Sequence, residues 1–176
     1  MNICIFCSAE ELEEKYKEPT RQFVKLLAQN GHHLVFGGSD KGLMKIVADT
    51  ARENGARITA VSFEQVRASL RKDVDEVIMN PDLRTRKAAI LEKSDALVTL
   101  PGGIGTLDEI TEVLELKKHR LHDKNIVVFN IAGFYGGLRA QLLRMENEGF
   151  LSRPLSDMLS FADTPEEAYA MATKTA

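Results

Sequence analysis

The sequence has no run of about 18 apolar residues that would make a membrane span, and it opens on no signal-peptide pattern. Both absences make a cytoplasmic location the expectation, with no membrane partner. Long basic runs are also missing. The charge sum is 23 − 26 = −3, which argues against a nucleic-acid partner. There are two cysteines, too few for a zinc site of two Cys pairs. Linkers, low-complexity segments and convincing repeats are absent, so residues 1–176 read as one domain. The chain is long enough for a sizeable core. The last residues, Ala172 to Ala176, are expected to fray.

Cys4 and Cys7 spell C-x-x-C within the apolar run Ile3 to Cys7. That run reads as a strand, and residues three apart on a strand face opposite ways. Both are expected to be buried structural cysteines.

Apolar runs alternate with helical patterns along the chain. The spacing predicts strands over Asn2–Cys7, His33–Phe36, Arg57–Phe63, Glu76–Met79, Ala96–Leu100 and Asn125–Asn130, with a weak edge strand over Met158–Phe161. Helices fall between them. One runs to Asn30 and is stopped by Gly31, and a last one begins at Pro165 with Thr164 as its cap. Glu64 to Asp75 is charged and reads as one or two helical turns. The pattern implies an α/β fold: a doubly wound, mostly parallel, Rossmann-like sheet of six or seven strands with helices on both faces. Ligands bind such sheets beyond the carboxyl ends of the strands, near the switch in strand order.

Two glycine loops lie at strand carboxyl ends. The first is Gly37-Gly38-Ser39-Asp40-Lys41-Gly42. The second is Pro101-Gly102-Gly103-Ile104-Gly105, with a helix predicted from about Thr106. Glycines allow close approach of a ligand, and a helix N-terminus offers free N–H groups and a positive dipole end to an anion. Glu109 lies in what reads as the first turn of that helix. Thr106-x-x-Glu109 also has the spacing of a capping box, so Glu109 has two readings, helix cap and functional carboxylate. Arg86 and Lys87 follow the fourth strand through Asn80-Pro81 and are placed near the same rim, where a guanidinium can bind phosphate or steady a leaving group. Ser8 lies there too, able to touch a ribose or base or to cap its own loop. Arg84, Asp108 and Glu112 read as surface, and so do His119 and His122. His32 and His33 read as structural. Neither G-x-G-x-x-G after the first strand nor a Walker loop occurs, which counts against dehydrogenase and ATPase chemistry.

Pro101-Gly102-Gly103-Ile104-Gly105-Thr106-Leu107-Asp108-Glu109 resembles the P-G-G-x-G-T-x-x-E signature of the LOG family, often labelled lysine decarboxylase-like. Arg86-Lys87 resembles the family's arginine–lysine pair. Phe36 to Met44 resembles its other glycine loop, and Phe134-Tyr135 a further segment. The likeness runs over residues 2–150. It departs at Leu83-Arg84-Thr85, where the family usually has Met-His-Glu, and in the loop Cys7 to Glu10. The resemblance implies hydrolysis of a nucleoside 5′-monophosphate, such as a cytokinin riboside monophosphate or AMP, to free base and ribose 5-phosphate. Glu109 and Arg86 would be catalytic. Gly102, Gly103, Gly105, Thr106, Lys87, Gly37, Gly38, Ser39 and Ser8 would bind substrate. No cofactor or metal is implied, and a homodimer is. The alternative is a non-catalytic nucleotide or molybdenum-cofactor carrier, whose fold the family's resembles. The lysine decarboxylase label has no counterpart in a recognisable pyridoxal phosphate lysine.

Overall fold

A computed structural model describes residues 1–174. Seven strands form one sheet: β1 (Asn2–Phe6), β2 (His33–Phe36), β3 (Ile58–Phe63), β4 (Glu76–Asn80), β5 (Ala96–Thr99), β6 (Asn125–Phe129) and β7 (Ser160–Ala162). Their order is β4-β3-β2-β1-β5-β6-β7, and every pairing is parallel. The chain winds outward from β1 to β4, then returns to the other side of β1 as β5. The switch in strand order therefore falls between β1 and β5, as a doubly wound sheet requires.

The helices are α1 (Glu14–Gln29), α2 (Gly42–Glu53), α3 (Leu83–Lys93), α4 (Ile104–Lys118), α5 (Gly136–Asn147), the short α6 (Leu155–Met158) and α7 (Pro165–Thr173). They cover both faces of the sheet, which separates two apolar layers. On one face Ile3, Ile5, Leu34 and Phe36 of the sheet pack with Phe23 and Leu27 of α1, Val47 of α2 and Ala168 of α7. On the other, Cys4, Phe6, Val35 and Leu97 pack with Ile90 of α3, Ile110 and Val113 of α4 and Leu142 of α5. Alternation along each strand does this sorting, because successive side chains leave a strand on opposite sides. Side chains such as Phe23, Leu27 and Ile90 are essentially inaccessible, and burying each contributes about 1.5–3 kcal/mol. Cys4 and Cys7 fall in opposite layers, both buried and free, as expected of structural cysteines.

Two expectations need correction. The edge strand predicted from Met158 begins at Ser160 instead. Pro154 precedes a tight turn in which Leu159 N donates to Leu155 O at 2.9 Å, so Leu155–Met158 winds into α6 before the chain extends. Fraying from Ala172 is also overturned: Ala172 lies within α7 and is fully buried in the first layer. Residues 175–176 of that segment lie outside the described residues.

The start of α7 is as the sequence predicts. Thr164 accepts from Glu167 N, the Glu167 carboxylate accepts from Thr164 N, and Pro165 opens the helix. This capping box fastens the last helix, which rests on α1 and β6. Thr164→Ala is expected to lower unfolding stability by about 1 kcal/mol, read as a shift in urea midpoint at unchanged slope.

Candidate functional site

Pairing between β1 and β5 continues beyond the strands. Leu100 N donates to Phe6 O at 2.8 Å and Ser8 N donates to Pro101 O at 3.2 Å. Ser8 is thereby set beside the glycine loop Pro101–Gly103. The loop is pinned from below, where the buried Tyr135 hydroxyl donates to Leu100 O at 2.8 Å. Gly102 is a place where only glycine fits: a Cβ there would stand 2.1 Å from Thr106 Oγ1.

The helix behind this loop starts earlier than the sequence suggests. Gly103 is the N-cap of α4, and the first intrahelical bond runs from Leu107 N to Gly103 O at 3.0 Å. The N–H groups of Ile104, Gly105 and Thr106 precede that bond and have no partner within the helix. Together with the dipole they make an anion seat. Thr106 is the third residue inside the helix and Glu109 the sixth, so Thr106-x-x-Glu109 is not a capping box, and no side chain caps α4. Glu109 stands in the second turn rather than the first. The competing reading of this carboxylate is removed by a shift of two residues in the helix start.

The N-terminus behind the other glycine loop is not open in the same way. Met44 N, in the first turn of α2, donates to Ser8 O at 3.2 Å, and Gly42 lies against the Glu10 carbonyl, 2.2 Å from where its Cβ would be. The protein's own backbone takes that end of α2.

Arg86 and Glu109 meet across α3 and α4. Arg86 Nη1 lies 2.9 Å from Glu109 Oε1, and Arg86 Nε donates to Val61 O at 3.0 Å. The guanidinium stands 5.9 Å from the Phe63 ring centroid. Its Nη2 occupies the space where Gly37 lacks a side chain, 2.8 Å from an ideal Cβ. Only 8% of Arg86 and 6% of Glu109 remain exposed. Burial pushes the Glu109 carboxyl above the usual glutamate range, and the Arg86 charge offsets this only in part.

These groups line one cleft of about 380 Å³, within the range of small-molecule sites. Ser8, Gly37, Gly38, Ser39, Arg86, Gly103, Gly105, Thr106 and Glu109 are all in its walls. Ser8 also caps its own loop, accepting from Glu10 N at 2.9 Å. Gly102 and Lys87 are not among the lining residues. Lys87 turns the other way on α3 and pairs with Asp108, at 3.0 Å, and with Glu112. Leu83, Arg84 and Thr85 lie exposed at the start of α3 and line none of the cleft.

Sequence reasoning missed the opposite wall. Phe63, Val66, Ser69 and Leu70, from the end of β3 and the 3₁₀ segment Glu64–Ser69, complete the cleft with Met44 and Ile104. The signal available was the pair Val66 and Leu70 within an otherwise charged stretch. The histidines keep to structural or surface places. His33 Nε2 bonds Thr59 Oγ1 at 2.7 Å, His122 Nε2 bonds Val113 O at 2.8 Å, and His119 is exposed beside Glu115. Among the described residues no group of three or more His, Cys, Asp or Glu is placed to hold a metal ion, and no helix is long and apolar enough to cross a membrane.

The family model described as "Possible lysine decarboxylase" matches residues 44–171. The "Probable cytokinin riboside 5'-monophosphate phosphoribohydrolase LOGL6" of Oryza sativa subsp. japonica is 32% identical over 168 residues, spanning 94% of this chain and 67% of that protein. The cytokinin riboside 5'-monophosphate phosphoribohydrolase of Mycobacterium marinum is 30% identical over 94% of this chain and 90% of its own length. Among solved structures, the molybdenum cofactor binding protein of Rippkaea orientalis superposes with a TM-score of 0.71 at 19% identity, covering 94% of this chain and 91% of that one. The Moco carrier protein of Chlamydomonas reinhardtii gives 0.68 at 20% identity, covering 96% and 93%. At those identities the two structures share the fold.

The buried pair has a pH signature. Arg86→Ala leaves a carboxylate without its partner, a change that costs about 3–5 kcal/mol when the charge is retained. Removing the cation raises the Glu109 pKa in the folded state further above its unfolded value. The variant's deficit is therefore smallest at acid pH, where the carboxyl is protonated, and widens as pH rises through the folded-state pKa. Urea unfolding of wild type and variant from pH 5 to pH 8 checks this; a deficit independent of pH contradicts it.

Proposed function

The chain belongs to the LOG family, described as possible lysine decarboxylases and containing the cytokinin riboside 5′-monophosphate phosphoribohydrolases, and from that premise we propose that it hydrolyses the N-glycosidic bond of a nucleoside 5′-monophosphate. The observation that carries this reading is the buried Glu109 carboxylate, held by Arg86 at 2.9 Å in the same cleft as the open N-terminus of α4. A phosphate seat beside a buried carboxylate suits a substrate with a 5′-phosphate at one end and a cationic transition state a few ångströms away.

The 5′-phosphate rests on the N–H groups of Gly103, Ile104, Gly105 and Thr106, with Gly102 allowing Thr106 to tuck beneath the loop. Gly37, Gly38, Ser39 and Ser8 take the ribose side, where the α2 N-terminus is already satisfied by Ser8 O. As the C1′–N bond breaks, its electron pair leaves with the base and positive charge grows on the sugar, as in other glycosidic cleavages. Glu109 stabilises that charge or takes a proton from the incoming water. Water adds its oxygen to C1′, and its protons end on the new hydroxyl and the departing base. Arg86 favours the ionised form of Glu109 against the opposing effect of burial, and it turns Nη2 toward the Gly37 side of the cleft, where it faces the leaving base or the phosphate. Lys87 acts at one remove, by fastening α3 to α4 through Asp108 and Glu112. No lysine stands among the residues lining the cleft, so the decarboxylase description has no amine there to anchor an aldehyde cofactor.

Glu109→Gln keeps the shape and a hydrogen-bond acceptor for Arg86. It is expected to bind AMP and to lose base release by about 10²–10⁴-fold, read by chromatography of free base. Release at the wild-type rate removes Glu109 from the chemistry. Binding without release by the wild type, across a panel of nucleoside monophosphates, returns the protein to the carrier reading. The active form is the carboxylate, so activity falls as pH drops through the raised Glu109 pKa. The acid limb of kcat/KM is therefore expected above the ordinary glutamate value of about 4.3.

The same reading takes the working unit to be a homodimer in the cytoplasm. Exposed Ile104, 82% accessible at the mouth of the cleft, supports a partner surface near the site. Sedimentation at micromolar concentration is expected to show twice the monomer mass, and a pure monomer there counts against the dimer.

A further inference from the structure

Within the wall formed by residues 63–70, Phe63 belongs to β3 and Leu70 packs against the first core layer, but the stretch between them has little packing of its own. None of the residues in the 3₁₀ segment Glu64–Ser69 is buried, yet Val66 and Ser69 line the cleft. Its far end is tied to the glycine loop after β2. Arg71 N donates to Gly38 O at 2.8 Å, Asp40 N donates to Ser69 O at 3.1 Å, and Ser39 and Leu70 form an isolated antiparallel bridge. Leu70 enters the space that Gly38 leaves, with Cδ1 2.8 Å from an ideal Cβ.

The residue after Leu70 is a buried arginine. Arg71 Nη1 contacts Asp40 Oδ1 at 3.1 Å and the Asp49 carboxylate, and Nη2 contacts Asp73 at 3.4 Å. Asp49 belongs to α2, whose Val47, Ala48 and Ala51 are locked in the first core layer. Burial works against the Asp49 charge, but Lys45 and Arg71 hold its carboxyl below the usual aspartate range. A buried guanidinium is costly unless paired, so this one is committed to its carboxylates. It joins an exposed cleft wall to a rigid helix.

We propose that Arg71 is a positioning residue for the nucleotide cleft: its pairing with Asp49 and Asp40 latches the 3₁₀ segment and Leu70 in place as the apolar wall beside the base. The latch touches neither Glu109 nor Arg86, so it acts on binding rather than on bond cleavage. The identity of the ligand rests on the function proposed above, whereas the latch itself does not.

The test combines amide hydrogen exchange with kinetics on Arg71→Gln, Asp49→Asn and the control Arg67→Gln, whose partner Glu64 lies on the exposed side of the segment. In Arg71→Gln, exchange of the amides over residues 64–71 is expected to quicken while those of β1 and α1 stay protected. KM for AMP is expected to rise about tenfold with kcat within about twofold, the pattern of lost uniform binding. Asp49→Asn, which leaves Arg71 paired with Asp40 and Asp73, shifts both in the same direction by less, and Arg67→Gln matches wild type. Unchanged exchange over 64–71 in Arg71→Gln overturns the latch whatever the activity does. A fall in kcat at constant KM overturns the positioning role, since it reports lost folded protein. If the wild type releases no base, the proposed function fails, and the exchange arm still decides on the latch.

Discussion

The ion pair between Arg86 and Glu109 sets the terms for the rest of the site. Taking two charges out of water costs several kcal/mol per ion, and their attraction offsets this only with good geometry and further hydrogen bonds. The structure supplies both. The pair is close, at 2.9 Å, and Arg86 Nε is satisfied by the Val61 carbonyl. Gly37 leaves room for the remaining nitrogen, and Phe63 offers an aromatic face near the guanidinium. One strand, one loop and one helix thus converge on one side chain: β3 through Val61 and Phe63, the loop after β2 through Gly37, and α4 through Glu109. The pair also fixes α3 against α4, while the spacing from the carboxylate to the open start of α4 is set by the helix they share.

That convergence depends on the sheet. Because every strand pairing is parallel, the loops after β1, β2 and β5 open on one rim, and the switch in order between β1 and β5 parts two of them. The pairing that runs on from Phe6 to Leu100 and from Ser8 to Pro101 then closes the gap between two of them. The loops differ in what they can bind. The first turn of α2 gives a hydrogen bond to Ser8 O, whereas the first turn of α4 has no such acceptor among the described residues. Two glycine loops that look equivalent in sequence become a structural joint and an open helix N-terminus.

Much of this was legible beforehand, for a physical reason. Strands covered on both faces must be apolar throughout, so Ile3–Phe6, Leu34–Phe36 and Leu97–Val98 announced themselves, and their alternation with helices gave the parallel sheet. Glu109 was legible as a candidate but not in its role, because helix starts are uncertain by a residue or two and Gly103 gives no side-chain signal as an N-cap. Arg86 and Lys87 were legible as a basic pair. That adjacent helical residues diverge, sending one into the cleft and the other to Asp108 and Glu112, depends on how α3 is rotated, which a weakly amphipathic helix does not declare. The wall at 63–70 was hidden most deeply. Arg71 reaches carboxylates 31 and 22 residues before it, at Asp40 and Asp49, and no local pattern encodes partners at that separation.

The raised pKa of Glu109 follows from the same burial, and it bears on the role proposed for this carboxylate. In water a glutamate is well solvated and a weak stabiliser of a passing cation. Inside the cleft it has exchanged that hydration for one guanidinium, and burial outweighs the partner. Its negative charge is therefore under-satisfied until a positive charge forms nearby. In the reaction proposed above, a ribose ring losing its base would supply that charge at the moment of bond breaking, and beside a carboxylate buried as deeply as this one the attraction is stronger than at the surface. A carboxylate fully neutralised by two cations would gain little from the transition state, and one with no cation would take up a proton and gain nothing. Arg86 paired with Glu109, and Lys87 turned to Asp108 and Glu112, place Glu109 between those limits, as the proposed role requires.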